Sequence, residues 1–589
     1  MTTTIAGGGP LHGLIRYYER LQNDPQQAIA DYGFSEEKIH FQIVLEPNGR
    51  LFAFEDIRET NERGKPVFRL LTVPDGGGRS GTSIRPFFCW DNTGYVLGRD
   101  NKGKPERAEQ MFAAFRDLHL SMRDELAGDE GFGALCLFLQ DWNPSQAEAL
   151  DKWAEAAGLN VVFKLRGKPG FVHQSPAVRQ AWTRRVSGAS PGTTQPAPKA
   201  TSLLTGQEEE VARLHPLIGG VSGANTTGAA IVSFNLDAFE SYGKTQSYNA
   251  PVGVRDAFRY TTALNRLLSD NRRRARISDA TVVFWADRSE AEEAELVMQA
   301  FFGDDAPRSQ AAEDAQVKDR LLAFLQAAQQ GLLRDRISDP ESPFYILGLS
   351  PNASRLHVRY WLVATVEELA QRLARHMEDL RIGSDGVPMP PSIRRLIGET
   401  ARDPKDIAPQ LAGQVTRAVL SGWPYPQTLF AAVIRRVRTD SVVNQTRAAL
   451  CKAYLIRNCH QEIPVTLDKT HPDEAYQLGR LFAALEKTQE EASEGELKST
   501  IKDRYFGAAS ATPASVFPRL LRLHQHHLNK LEGGRRINRE KLVTEICSNV
   551  SRFPAHLSLE KQGLFYIAYY HQRQDFFTKK ETSFQETSA

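Results

Sequence analysis

Residues 240–251, ESYGKTQSYNAP, gather two tyrosines, a lysine, a glutamine and an asparagine with no apolar repeat of period 2 or 3.6, so the stretch reads as a loop. These side chains suit nucleotide recognition. Lys244 can contact a phosphate, Gln246 and Asn249 can make paired hydrogen bonds to base edges, Tyr242 and Tyr248 can stack, and Gly243 admits close backbone approach. An ordinary tyrosine-anchored loop closed by Pro251 has the same composition.

Two further stretches carry cations. In ASRLHVRYWLV, from Ala353, a period of 2 puts Arg355, His357, Arg359 and Trp361 on one face and Leu356, Val358, Tyr360 and Leu362 on the other. A basic, aromatic face over a buried one suits a phosphate backbone with a stacking platform; a helix with solvated arginines fits the same residues. Across residues 428–460, Asp440 is the one acid against Arg435, Arg436, Arg438, Arg447, Lys452 and Arg457. Leu429, Val433 and Val437 mark a core-facing stripe there, with Arg435 and Arg438 on another face. A solvated, salt-bridged helix would interleave acids, so this stretch is expected to present uncompensated cations to a polyanion. In NRRRAR, the four arginines Arg272, Arg273, Arg274 and Arg276 sit at the end of an expected helix, where complementing its dipole is sufficient reason for them.

Catalytic signatures are missing from the sequence. It holds no phosphate loop of the GxxxxGK[ST] type, no GxSxG elbow, no HExxH and no tandem His-Asp pair of a metal-dependent nuclease. GGRSG, residues 77–81, lacks the strand-to-helix context of a dinucleotide site and reads as a flexible loop. His524, His526 and His527 in HQHH have no Cys or carboxylate at ligand spacing, which favours a solvated helix face over a metal site. Cys89, Cys136, Cys451, Cys459 and Cys547 form an odd set with no CxxC pair and are expected to be small buried residues. No catalytic residue, metal or cofactor is expected.

The elements that position these residues can be read more coarsely. The chain has 589 residues, room for two to four domains at about 150 residues each. Its 41% hydrophobic and 24% charged residues exclude wholesale disorder. A net charge of +2 conceals segregation, with nine acids and two arginines in residues 287–314. No apolar run is long enough to span a membrane and the N-terminus lacks a signal peptide, so a cytoplasmic location is expected.

The fold class expected is α+β. KIHFQIVLEPNGRLFAFEDI has strand-like runs around Asn48-Gly49, a hairpin signal. Residues 107–128 and 144–157 have helical spacing, and GALCLFLQ (133–140) and NVVFKL (160–165) look like buried strands. Residues 1–186 are therefore an N-terminal α/β domain. Residues 187–200, poor in apolar content and rich in Pro, Gly, Ser and Thr, are a linker or surface loop. A second α/β region covers 201–363, with strands at AAIVSF (229–234), TVVFWA (281–286) and FYILGL (344–349) and a helix over residues 256–276. Residues 364–589 have helical periodicity throughout and form an all-α bundle whose last dozen residues should fray.

Several blocks are familiar together: ARLHPLIGGVSGANTTGAAIVSFNLDAFESYGKTQSYNAPV (212–252) with VVFWAD, FYILGLSPNASRLHVRYW (344–361), RSGTSIRPFFCWDNTGYVLG (79–98) and LGRLFAALEKTQ (478–489). They resemble the large subunit of the type I-C CRISPR surveillance complex, Cascade, and fall in all three regions. The resemblance implies a non-catalytic subunit of a ribonucleoprotein built on guide RNA, backbone subunits and small subunits. Such a subunit reads the protospacer-adjacent motif on duplex DNA, promotes opening and R-loop formation, and recruits a separate helicase-nuclease. Base pairing then reads the remaining sequence, a division of labour seen in another RNA-guided class. It also implies a small subunit made by internal translation, starting near residues 460–480; no methionine follows Met389, so that start would use a non-AUG codon. In this frame the flank reader is placed in the N-terminal region, on Arg79, Ser80, Thr82 and Arg85 beside Asn92 and Tyr95. The loop residues 244–249 and the Arg355/Arg359 face are assigned to guide RNA or target DNA, and Arg435, Arg436 and Arg438 to a displaced or target strand. A nuclease with an unrecognised site and a scaffold touching only protein are the rivals.

Overall fold

The chain is described by a computed structural model over residues 8–24, 29–60, 64–76, 83–187, 198–277, 279–288, 292–302, 311–335, 339–383, 391–493 and 499–577. After α1 (Pro10–Gln22) the chain turns at Asn48-Gly49, with Gly49 at φ +82°, so that β1 (Phe41–Leu45) and β2 (Leu51–Asp56) pair antiparallel. They belong to a four-stranded sheet of order β2-β1-β4-β3, in which β4 (Asn160–Leu165) runs parallel to β1 and β3 (Trp90–Asn92) closes the far edge. Two helices cover it. α2 (Pro105–Leu120) contributes Phe112 and Phe115, and α3 (Glu130–Asp141) contributes Phe132, Leu135 and Phe138, to a core shared with Phe41, Ile43 and Phe163.

α3 corrects one expectation, because GALCLFLQ is helical and not a strand. Asp129 caps it, its Oδ1 accepting from the Phe132 N–H at 2.8 Å. The apolar run is continuous because Phe132, Ala134, Leu135, Cys136, Phe138 and Leu139 are all buried, and such a run has no period to distinguish helix from strand.

The second sheet is an antiparallel meander of β5 (Arg274–Ile277), β6 (Ala280–Ala286), β7 (Pro343–Asn352) and β8 (Arg355–Thr365). Every residue of β6 is buried because both faces are covered. Val283 and Trp285 face Leu14 and Tyr17 of α1 and Leu264 of α4 (Val254–Ser269). Val282 and Phe284 face the other side, where Phe284 lies 5.6 Å from Phe302 of the helix Glu292–Phe302, in a core continued by the helices that follow the sheet. α1 is thus buried on the second sheet, although the first sheet follows it in sequence.

Two expectations here need correction. α4 ends at Ser269, so NRRRAR is a turn leading into β5; Arg274 nevertheless donates to the Leu268 carbonyl at 2.7 Å, satisfying a helix-end acceptor from the strand. AAIVSF forms no strand. Ala229 and Ala230 make only isolated bridges, to Ile218 and to Arg355 at the rim of β8, and pairing stops there.

α5 (Val366–Leu380) starts directly after β8 on a capping box in which Thr365 and Glu368 exchange hydrogen bonds. It leads into α6 (Pro409–Ser421), α7 (Gln427–Asp440) and α8 (Gln445–Cys459), then α9 (Glu474–Ala492), α10 (Ile501–Ala511), α11 (Pro513–Leu528), α12 (Gly533–Ser548) and α13 (Leu559–Asp575). One apolar core runs from β6 through α5 and α8 to α9 and α13, including Leu373, Leu455, Phe482 and Phe565. Gly479 lets α9 and α13 approach, since a Cβ there would meet the Phe565 carbonyl oxygen. In HQHH, His524 is buried and pushed down to about 4 by desolvation, aided by His527; only part of that trio lies on a wet face. Cys89, Cys136 and Cys451 are buried, while Cys459 and Cys547 are half-buried. Among the described residues no helix is long and apolar enough to cross a membrane.

Candidate nucleic-acid interface

The loop of residues 240–249 turns at Tyr242 (φ +53°) and Gly243 (φ +68°), with Ser241 bridged to Lys244. Two consecutive left-handed residues make the tight turn that matches the strand twist of a hairpin, a place normally held by Asn-Gly. A tyrosine there costs about 1–2 kcal/mol, yet its ring is 99% exposed. Asn249 braces the base of the turn: its amide donates to the carbonyls of Lys244 (2.6 Å) and Gln246 (2.9 Å) and accepts from the Ser241 N–H (2.9 Å). Gln246, itself at φ +50°, accepts from Arg213 at 2.8 Å. The two amides expected to read base edges are therefore spent on the fold of the loop. Tyr242 and Lys244 point outward, Lys244 has no carboxylate partner among the described residues, and Tyr248 is half-buried.

Beneath this loop Arg355 lies over the Phe239 ring at 4.9 Å, so β8 and the loop form one surface. The strand reading of ASRLHVRYWLV is the one realised, but a bulge interrupts its alternation. Leu349 pairs with Val358 and Gly348 with Tyr360, leaving Arg359 as the extra residue. Gly348 makes room for this arrangement, since a Cβ there would sit 2.6 Å from the Tyr360 ring. Past the bulge the faces exchange. Trp361 stacks on Tyr345 (5.5 Å, 11°) in the core beside α1, on the face opposite Arg355 and His357, so the expected basic and aromatic face does not exist. Arg359 pairs with Asp279 at 2.6 Å on a half-open rim.

The basic stretch also divides. Arg457 is buried against Asp379 (2.8 Å from Nε) and over the Tyr425 ring (4.3 Å); Arg447 is buried between Glu399 (2.7 Å) and Asp440 (2.8 Å). Lys452 is buried on the Asp379 carbonyl, and desolvation lowers its pKa. Arg436 pairs with Asp440 at 2.6 Å. Burial raises Asp440, but hydrogen bonds from Arg447 and Val442 outweigh it and hold the carboxyl below the usual range. The expectation of six uncompensated cations thus fails for four of them: Arg447 and Arg457 are reached by acids distant in sequence, Arg436 takes the stretch's own Asp440, and Lys452 is held on backbone carbonyls. Arg435 and Arg438, on one exposed face of α7, have no carboxylate partner among the described residues.

Of the flank-reading set, Arg79, Ser80 and Thr82 lie outside the described residues. The Arg85 N–H donates to the Tyr95 hydroxyl at 3.1 Å, and Tyr95 is 3% exposed. Asn92 caps the helical turn Thr93–Val96 by accepting from the Gly94 N–H at 3.0 Å. Asn92 and Tyr95 hold the fold around Arg85, and neither presents the free edge that base reading would need.

Two exposed groups escaped the sequence reading: Arg417 on α6 and Trp423, 61% exposed in the turn between α6 and α7. The signal was the segment GWPYP, in which a tryptophan stands between Gly and Pro with no periodic place in a core. Among the described residues no group of three or more His, Cys, Asp or Glu could hold a metal ion.

A search of curated proteins found no match to the chain. A model of the family described as CRISPR-associated protein (Cas_Csd1) matches residues 14–577, from α1 to the end of α13, and so takes in the Tyr242 loop, the bulged strand and the helical bundle alike. The chain therefore belongs to the CRISPR-associated protein (Cas_Csd1) family, the large subunits of type I-C Cascade.

Proposed function

We propose that this Cascade subunit reads the protospacer-adjacent motif on duplex DNA, wedges the duplex open beside it, and hands the complex on to a helicase-nuclease once the R-loop has formed. It does no chemistry of its own in this reading. The observation that carries it is Tyr242, a fully exposed aromatic ring on a cross-braced turn, beside the Lys244 ammonium, which is unpaired among the described residues. Unstacking a base step costs a few kcal/mol, and an aromatic ring inserted there recovers about 1–3 kcal/mol by stacking on the exposed base. A loop stiffened in advance by Asn249 loses little entropy on insertion.

Motif reading is assigned to the segment around residues 79–85, with Tyr95 positioning its exit through the Arg85 backbone. Guide RNA and the backbone subunits complete the particle, and the helices from residues 460–480 onward supply its small subunit by internal translation. The experiment is strand opening in the assembled particle, read with 2-aminopurine next to the motif. Tyr242→Ala should reduce opening roughly five- to hundredfold with the flank preference kept. Opening equal to wild type would remove the wedge from the account.

A further inference from the structure

Between the rim of β8, α6 and the start of α7 lies an open groove of about 570 Å³, lined by Arg359, Arg417, Gln414, Gln427, Thr428 and Trp423. We infer that this groove binds single-stranded nucleic acid, with a base stacked on Trp423 and the backbone led away along the outer face of α7. The inference rests on the reading that the subunit handles opened DNA, and assigns where a freed strand is held.

The turn carrying Trp423 is built to present it. Gly422, at φ +71°, ends α6. Pro424 and Pro426 restrict the next residues, and Tyr425 is buried as an anchor. Asn458 clamps that anchor twice, accepting from the Tyr425 N–H at 2.9 Å and donating to its carbonyl at 2.8 Å. Arg457 lies over the Tyr425 ring and donates to the Trp423 carbonyl at 3.4 Å. A backbone fixed so firmly leaves the indole outside, the only tryptophan among the described residues that is mostly exposed.

Charge selects the occupant. Arg417 donates to the Arg359 carbonyl at 3.5 Å and has no carboxylate partner among the described residues, and the lining carboxylate, Asp279, is already paired with Arg359. Thr428 donates to Gln414 at 3.4 Å, joining α7 to α6. From exposed Thr428 the helix face continues past half-buried Ala431 to exposed Arg435 and Arg438, the two guanidiniums of the basic stretch with no carboxylate partner among the described residues, about 10 and 15 Å further along the axis. An aromatic platform, amides within reach of base edges and a line of unpaired arginines form the combination that holds single strands. A proline-rich or apolar helical protein segment would have no use for that line of cations.

The test uses the full-length chain, a fluorescein-labelled oligothymidylate 20-mer, and the protein's own tryptophan fluorescence. The wild type should bind with quenching. Trp423→Ala should lose the quenching and weaken binding roughly five- to hundredfold, while Trp423→Phe recovers most of the affinity. Arg417→Ala should lower the salt slope by about 0.7. Unchanged thermal unfolding of each variant keeps the comparison clean. Wild-type fluorescence that ignores the oligonucleotide, or Trp423→Ala binding it as the wild type does, overturns the groove. The same holds if Trp423→Ala leaves DNA binding intact but blocks assembly with neighbouring subunits, which would reassign the groove to protein. Flank-dependent binding by the assembled particle would survive any of these failures, so the groove and the broader reading fail separately.

Discussion

Replacing Arg457 and replacing Arg435 with Arg438 should have opposite consequences, although all three belong to one basic stretch. The Arg457 side chain is 2% exposed and its partner Asp379 7%. Removing Arg457 leaves a buried carboxylate without its counter-charge and frees the Tyr425 anchor, a loss of about 3–5 kcal/mol. For a cooperative unit of about 150–250 residues that is a fall in melting temperature of about 6–20 °C. Arg435 and Arg438 are exposed and unpaired, so their joint replacement by Ala should change stability by less than about 0.5 kcal/mol per site. If each meets one phosphate, the slope of log affinity against log salt should shrink by about 1.8 on duplex or 1.4 on a single strand. Thermal unfolding and fluorescence anisotropy from low to high salt measure both. A double variant that melts early, or one that keeps the full salt slope, would refute the division of the stretch into core and surface cations.

Acid should destabilise the fold. His119 and His376 are buried, and desolvation pushes them down to about 4 and about 3. In the unfolded chain they titrate near 6.5, so the unfolded state binds more protons below that pH. Each then costs about 2 kcal/mol by pH 5, stability falling as pH drops from 6.5 towards 4. His119 shows why: its Nε2 accepts from the Cys89 N–H at 2.8 Å, a bond that protonation abolishes. Melting temperatures that do not change between pH 7 and 5 would count against both. Gly479→Val should lower the melting temperature by at least several degrees, because the new side chain meets the Phe565 carbonyl between α9 and α13; a neutral result would show that the two helices can separate freely.

What could be read from the sequence was what is decided locally. The Asn48-Gly49 turn sets its own hairpin, and β6 and β7 are continuous apolar runs because two faces cover them. The helical end of the chain has its own periodicity. What could not be read depends on partners far away. Arg447 finds Glu399, and Arg457 finds Asp379, 48 and 78 residues earlier, so counting charges within the stretch overestimated its free cations. The bulge opposite Gly348 moved Trp361 to the other face, an effect no period of 2 contains. Gln246 and Asn249 have the right types for base reading, but the turn they stand in needs their hydrogen bonds first.

The most direct measurement is to co-express the chain with its genomic neighbours, purify the particle, and titrate it with duplexes that share the guide-matched target and differ only in the flanking trinucleotide. The account predicts co-purified guide RNA, an affinity that depends on the flank, and steep loss of binding as salt rises. Equal affinity for every flank, or divalent-metal-dependent cleavage of the duplex by the chain alone, would contradict it.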